Sequence, residues 1–217
     1  MVCIMTWLLV ISTYGANVIP VDDYRIGLDL PTIINAEMRE IDYYEVYETE
    51  QKPSYVHNLY ATWQEIQNIF PREADARVRD LATGQEFYIR RTFGTHHADV
   101  EPLTVEDAEI MRNIWGGYSW ARRSVAVYVN GQIFPASLTF FPHAGRDDLP
   151  ALATVDNRSG GYGRGVNLDA VKGNGVCGIV CLHFAGSLLH GSLRSNPDHQ
   201  NAIINARNIL KNEIIED

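Results

Sequence analysis

The sequence predicts an α+β fold: one main domain with a mostly antiparallel sheet and flanking helices. Two observations predict it. Short segments of apolar and polar alternation occur in pairs joined by glycine-containing turns, and segments with helical periodicity lie between and after these pairs. The chain has 217 residues, of which 46% are hydrophobic and 21% charged, so it is able to bury a core.

The first sixty residues are expected to precede this domain. Residues 1–16 contain an apolar run from Ile4 to Ile11. That run is shorter than the roughly 20 residues that span a bilayer, but it fits a signal peptide; the alternative is a buried N-terminal strand or helix. Residues 17–60 are acidic and tyrosine-rich and form a predicted extension. The main domain is therefore predicted over residues 61–217, in a secreted or cell-wall-associated protein without an integral membrane span.

The main domain is expected to begin with a helix and a hairpin. Ala61–Phe70 has helical spacing, and Thr62 with Glu65 forms a capping box at its start. Ala76–Asp80 and Glu86–Arg91 then alternate as strands around a turn that contains glycine.

A second helix and a second hairpin follow. Thr104 is a predicted N-cap for a helix over Val105–Trp115, whose acidic first turn suits the helix dipole. Ser124–Val129 and Gln132–Leu138 flank Asn130-Gly131, a strong hairpin signal.

The last third of the chain is predicted to contain a long loop, a strand and a helix. Ala144–Gly175 is polar and glycine-rich, and loops of this length are usually functional. We expect it to form a substrate-binding wall that includes Tyr162 and Arg164. Ile179–Phe184 is an apolar strand, and Asp198–Lys211 has the periodicity of a terminal helix.

The strand carries unusual chemistry for a buried segment. Cys181 and His183 are two residues apart, so in a strand both side chains project from one face. A disulfide between Cys177 and Cys181 is disfavoured, because residues four apart on a strand are separated by about 13 Å and a disulfide requires about 7 Å or less.

Charge and motifs narrow the possible functions. The formal net charge is −9, which argues against nucleic-acid binding, because neutralising phosphates requires a basic face. The chain contains no HExxH, Gly-x-Ser-x-Gly or Walker sequence.

A catalytic zinc site is the first chemical hypothesis. Such sites use about three protein ligands and leave one position open. The predicted ligands come from the strand and from the Gly94–Asp99 segment: His97, Asp99, Cys181 and His183.

Proton transfer and nucleophilic chemistry give further hypotheses. His190 or His143 would shuttle protons beside the zinc. Alternatively, Cys181 is a thiol nucleophile with His97, His143 or His190 as its base, because His183 would point parallel to the thiol rather than at it. A third alternative is that these side chains are only structural.

Several short motifs follow one another in a defined order. Arg90–Thr104 contains Arg-Arg, a glycine and His-Ala-Asp-Val-Glu-Pro-Leu-Thr, and the later motifs are Gly116-Gly117, Trp120-Ala121-Arg122-Arg123, Pro142-His143, Cys181-Leu182-His183-Phe184 and His190. This order, from about Trp63 to Ile209, resembles a poorly characterised family of exported Gram-positive domains that are often attached to peptidoglycan-binding or SH3-like modules. The resemblance implies a cell-wall setting. It also implies that aspartate can replace Cys181, which favours a metal ligand over a nucleophile.

The leading hypothesis is therefore an exported cell-wall hydrolase, a metal-dependent peptidase that acts on peptidoglycan. The alternatives are a non-catalytic peptidoglycan- or glycan-binding domain and a Cys-His thiol peptidase or transpeptidase.

Overall fold

The computed structural model describes residues 55–216. The predicted signal peptide and most of the predicted extension lie outside these residues. Within them the strands are β1 (Val56–His57), β2 (Asp75–Asp80), β3 (Glu86–Phe93), β4 (Ala98–Pro102), β5 (Ser119–Val129), β6 (Gln132–Phe140), β7 (His143–Ala144), β8 (Thr154–Arg158), β9 (Gly163–Val166) and β10 (Gly178–His183). The helices are α1 (Trp63–Ile69), α2 (Val105–Trp115) and α3 (Pro197–Glu216).

The main sheet closes into a six-stranded barrel. Its strands follow the order β6-β5-β2-β3-β4-β10, and β10 pairs back onto β6 with Leu182 opposite Leu138. Every pairing within this ring is antiparallel. The predicted mixed fold with a mostly antiparallel sheet is thus confirmed, and closure is the additional feature, which leaves the ring without an unpaired edge.

Two apolar clusters lie on opposite faces of the barrel strands. One contains Val127 and Leu182 and also takes side chains from α1 and α2, such as Ile66 and Met111. The other lies on the outer face, where Ala126 and Ile133 pack under Leu210 of α3. The alternation along β5 places Ala126 and Val127 in different clusters, as expected for a strand buried on both faces.

The predicted helix starts are confirmed. Thr62 and Glu65 form the capping box of α1, and Thr104 with Asp107 forms one at α2. The helix α2 ends at Gly116 in the left-handed conformation.

The structure corrects several boundaries. Ala98–Pro102 is a strand that the sequence analysis did not predict; both of its faces are buried, so it lacks the alternation that marks a half-exposed strand. The predicted long loop contains the β8–β9 hairpin. Tyr55 packs edge-on against Tyr128 and Leu59 is buried, so the last residues of the predicted extension pack against the main domain. No helix within residues 55–216 combines the length and apolarity that a bilayer crossing requires.

Candidate functional site

The candidate site lies on the outer face of the barrel, where β10 meets β4. Val180 and Leu182 point into the apolar core, whereas Cys181 and His183 project from the opposite face, as predicted. The pairing places Cys181 directly opposite Asp99. Because directly opposed residues of neighbouring strands share a face, the thiol and the carboxylate are adjacent.

His143 is the imidazole that reaches the thiol. Its Nε2 lies 3.9 Å from Cys181 Sγ, and its Nδ1 lies 2.8 Å from the carbonyl oxygen of Phe141. A carbonyl only accepts hydrogen bonds, so Nδ1 carries the hydrogen, and Nε2 of the neutral ring presents its lone pair to the thiol. This is the order nucleophile, base and orienting group that thiol chemistry requires.

Glycines allow the segment of His143 to approach the β10 strand closely. β7 pairs with β10 so that His143 lies opposite Ile179. Gly178 has φ +91°, and a Cβ atom there would overlap the carbonyl oxygen of His143. A Cβ on Gly160 would lie 2.8 Å from the Cβ of His143. These glycines are therefore needed for close packing around the base.

Aromatic rings surround His143. Tyr162 lies with its ring centroid 4.9 Å from that of His143, and Trp120 lies 5.2 Å from it on another side. Trp120 also stacks on Phe141, at 4.7 Å. Tyr162 thus belongs to the site. The other predicted substrate-binding residue, Arg164, pairs with Asp156 at 3.4 Å on the exposed β8–β9 hairpin.

Asp99 lies between two further imidazoles. Its carboxylate is 3.0 Å from Nε2 of His190 and 3.1 Å from Nε2 of His97, although the latter pair is not aligned as a hydrogen bond. Burial raises the pKa of Asp99, but the hydrogen bond from His190 and the nearby His97 outweigh it and lower the pKa to about 2. The same hydrogen bond raises the pKa of His190 against its own partial burial. Asp99 is therefore ionised at neutral pH, and His190 favours its charged form.

The thiol and its neighbouring base are both held in their neutral forms. Burial raises the pKa of Cys181, and the negative charge of Asp99 raises it further. Burial also lowers the pKa of His143, which outweighs its hydrogen bond to Phe141. A thiol of this kind becomes a thiolate only when a base takes its proton.

Three of the four predicted metal ligands come together. One ligand atom each from His97, Asp99 and Cys181 lies within 4.8 Å of the others, so this group could hold a metal ion. The Nδ1 atom of His97 is 2.8 Å from the carbonyl oxygen of Leu188, and its buried Nε2 has no hydrogen-bond partner among the described residues. An imidazole oriented by a carbonyl through one nitrogen, with the other nitrogen available, is the usual form of a histidine ligand. The donor set therefore fits a metal.

His183, the fourth predicted ligand, does not belong to this group of three residues. Its ring stacks on His97 at 4.1 Å and on His199 at 3.8 Å, and neither of its nitrogens has a hydrogen-bond partner among the described residues. Burial lowers the pKa of His183. His199, near the start of α3, is buried as well: its Nδ1 lies 2.8 Å from Ser137 Oγ, and burial is the main cause that lowers its pKa to about 3.

A cavity of about 590 Å³ opens beside the site. Its walls include Asp99, His143, Tyr162 and His190. Sequence reasoning did not find Arg72, which also lines it. Nor did it predict that Trp120 packs beside His143 or that the Phe141 carbonyl orients His143. Trp120 begins one of the motifs in the sequence, and Phe141 directly precedes another.

Comparison with known proteins adds no assignment. Neither a protein-family model, nor a curated protein, nor a solved structure matches the chain.

Proposed function

We propose that the protein is a thiol enzyme that transfers acyl groups, a peptidase or transpeptidase with Cys181 as nucleophile and His143 as general base. One observation carries the proposal: Nε2 of His143 lies 3.9 Å from the thiol while its Nδ1 is held by the Phe141 carbonyl. A base within reach of a nucleophile and oriented by a third group is the arrangement that activates a weak nucleophile.

The proposed reaction has two stages. The Cys181 thiol gives its proton to Nε2 of His143 as Sγ attacks a substrate carbonyl carbon. The bond to the leaving amine then breaks, and His143 returns the proton to that amine, which leaves a thioester on Sγ. Water resolves the thioester in a peptidase, and an acceptor amine resolves it in a transpeptidase. In either case His190, whose pKa is raised by its hydrogen bond to Asp99, lines the same cavity as His143.

The proposed substrate is the peptide portion of peptidoglycan, and the proposed location is the cell wall. Both follow from the resemblance of the motif order to exported Gram-positive domains. The cavity of about 590 Å³ is of the size that accommodates a short peptide segment.

A metal-dependent peptidase is the second candidate, supported by the grouping of His97, Asp99 and Cys181. Zinc is the proposed ion, because it favours nitrogen and sulfur donors together with carboxylate oxygens. Such an ion would polarise a substrate carbonyl.

The two candidates differ in their response to chelation and to one substitution. Purified peptidoglycan peptides are incubated with the full chain, and products are followed by mass spectrometry. The thiol enzyme should lose activity in Cys181→Ser and Cys181→Asp and on alkylation, and should be unaffected by a chelator. Cys177→Ser is the matched control, since Cys177 is the exposed cysteine of the described chain.

The opposite pattern would support the metal enzyme. Retained activity in Cys181→Asp, stoichiometric bound zinc and inactivation by a chelator would contradict the thiol mechanism. Absence of any cleavage or transfer product, with wall binding intact, would contradict both candidates and favour a binding domain.

A further inference from the structure

The cavity beside His143 is lined by more arginines than carboxylates, in a chain whose net charge is −9. Two arginines line it, Arg72 and Arg158. Asp99 is the acidic residue among the described lining residues. The local charge of the cavity is thus opposite in sign to that of the whole chain.

A third arginine lies beneath the cavity wall. Arg91 is buried, and its guanidinium donates to the carbonyl oxygens of Phe70 and Gly94, at 2.5 and 2.9 Å. Neutral carbonyls satisfy its hydrogen-bonding capacity but do not cancel its charge. Arg91 therefore adds to the positive field at the wall formed by Phe93 and Gly94.

The two lining arginines differ in their freedom to bind a ligand. Arg158 donates to backbone carbonyls of its own hairpin, including those of Tyr162 and Val166, both at 2.9 Å. Arg158 forms no ion pair with a carboxylate within residues 55–216, but backbone carbonyls already accept hydrogen bonds from its guanidinium. Arg72 is exposed and makes no ion pair within residues 55–216, whereas Arg77, Arg79, Arg90 and Arg123 each pair with a carboxylate.

We propose that this cavity selects a substrate with a free carboxylate and that Arg72 binds that carboxylate. A planar guanidinium with free donors is matched to a carboxylate, which it binds through two parallel hydrogen bonds. This assignment deepens the proposed function by naming the substrate class: a peptide whose carboxylate lies close to the carbonyl that Cys181 attacks. Arg158 and Arg91 contribute to a positive electrostatic potential in the cavity, and Arg72 makes the direct contact with the carboxylate.

Direct binding to an inert protein tests the assignment. The full chain with Cys181→Ser is titrated with N-acetyl-dialanine and with its C-terminal amide, and binding is followed by nuclear magnetic resonance. The acid should bind about tenfold more tightly than the amide, the ratio that one charge-assisted hydrogen-bonded pair supplies. Added to this background, Arg72→Gln should remove the difference while leaving the affinity for the amide unchanged, which also shows that the variant is folded.

The control changes the same charge elsewhere. Lys211→Gln also removes one positive charge but lies ~18 Å along α3 from His199, so it should retain the preference for the acid. Equal binding of acid and amide, no binding of either in the millimolar range, or a preference that survives Arg72→Gln would overturn the assignment. Displacement of the acid by equimolar inorganic phosphate would show a general anion site and would also overturn it. Because the nucleophile is absent from this experiment, its outcome is independent of whether acyl transfer occurs.

Discussion

At the scale of single residues, the buried carboxyl group of Glu101 contributes to the pH dependence of stability. Glu101 is fully buried on β4 and accepts hydrogen bonds from the backbone amides of Ala170 and Val171, at 3.0 and 3.2 Å. Burial raises its pKa to about 7 in spite of these bonds. Glu101 therefore ties the segment before β10 to β4, while its burial favours the protonated form.

We expect Glu101 to make the protein less stable as pH rises. A carboxyl group whose folded pKa exceeds its unfolded value contributes stability that is complete below pH ~4.5 and is lost as pH rises through about 7. A shift of this size corresponds to roughly 3 kcal/mol. Urea unfolding between pH 5 and pH 8 should therefore show a smaller decrease for Glu101→Gln than for the wild type.

Glu109→Gln is the control for this measurement, because Glu109 is exposed on α2 and should leave the pH dependence unchanged. If Glu101→Gln and the wild type lose the same free energy of unfolding across this range, burial of Glu101 has no such effect.

At the scale of elements, one side chain connects α2 to the barrel. Asp107 Oδ2 accepts from the amide and hydroxyl of Thr104, at 3.0 and 2.8 Å, and thereby closes the capping box. Its Oδ1 accepts from the backbone amide of Tyr88 on β3, at 2.7 Å. A residue in the first turn of α2 thus also holds the helix against the sheet.

Replacing Asp107 with alanine should destabilise the protein by about 2–3 kcal/mol. The substitution removes the Asp107 half of the capping box and leaves the Tyr88 amide without its partner, and each of these losses costs roughly 1 kcal/mol or more. Glu106→Ala changes the neighbouring acidic residue of the same helical turn and should cost only a few tenths of a kcal/mol. Urea unfolding measures both, and equal losses would show that the contact to β3 contributes nothing.

At the scale of the whole molecule, barrel closure brings the site residues together. His143 and Cys181 are separated by 38 positions in the chain, and Asp99 comes from a strand that is still more distant in sequence. The β6–β10 contact closes the ring next to Cys181, where Leu182 faces Leu138. Stability of the barrel and geometry of the site therefore depend on the same pairing.

Shortening a buried side chain where β10 pairs with β6 should test this dependence. Leu182 is fully buried, so Leu182→Ala should destabilise the protein by about 2–5 kcal/mol through lost burial and the remaining cavity. Leu152→Ala is the control, because Leu152 is 64% exposed and its truncation should change stability by less than about 0.5 kcal/mol. A similar small effect in both variants, measured by denaturant unfolding, would contradict a closed, packed barrel.

The sequence by itself determined the local structure. Thr62 and Thr104 marked the helix starts, Asn130-Gly131 marked a hairpin, and the two-residue spacing assigned Cys181 and His183 to one face. These signals are reliable because capping, turn conformation and alternation act within a few residues along the chain.

Only the tertiary structure decided which of these residues meet. In the folded chain His143 faces the thiol and Asp99 lies opposite Cys181. His183 stacks on His199, and the sheet closes into a barrel. The physical reason is that strand order and register between distant segments depend on packing of the whole core, for which no short stretch of sequence carries a signal.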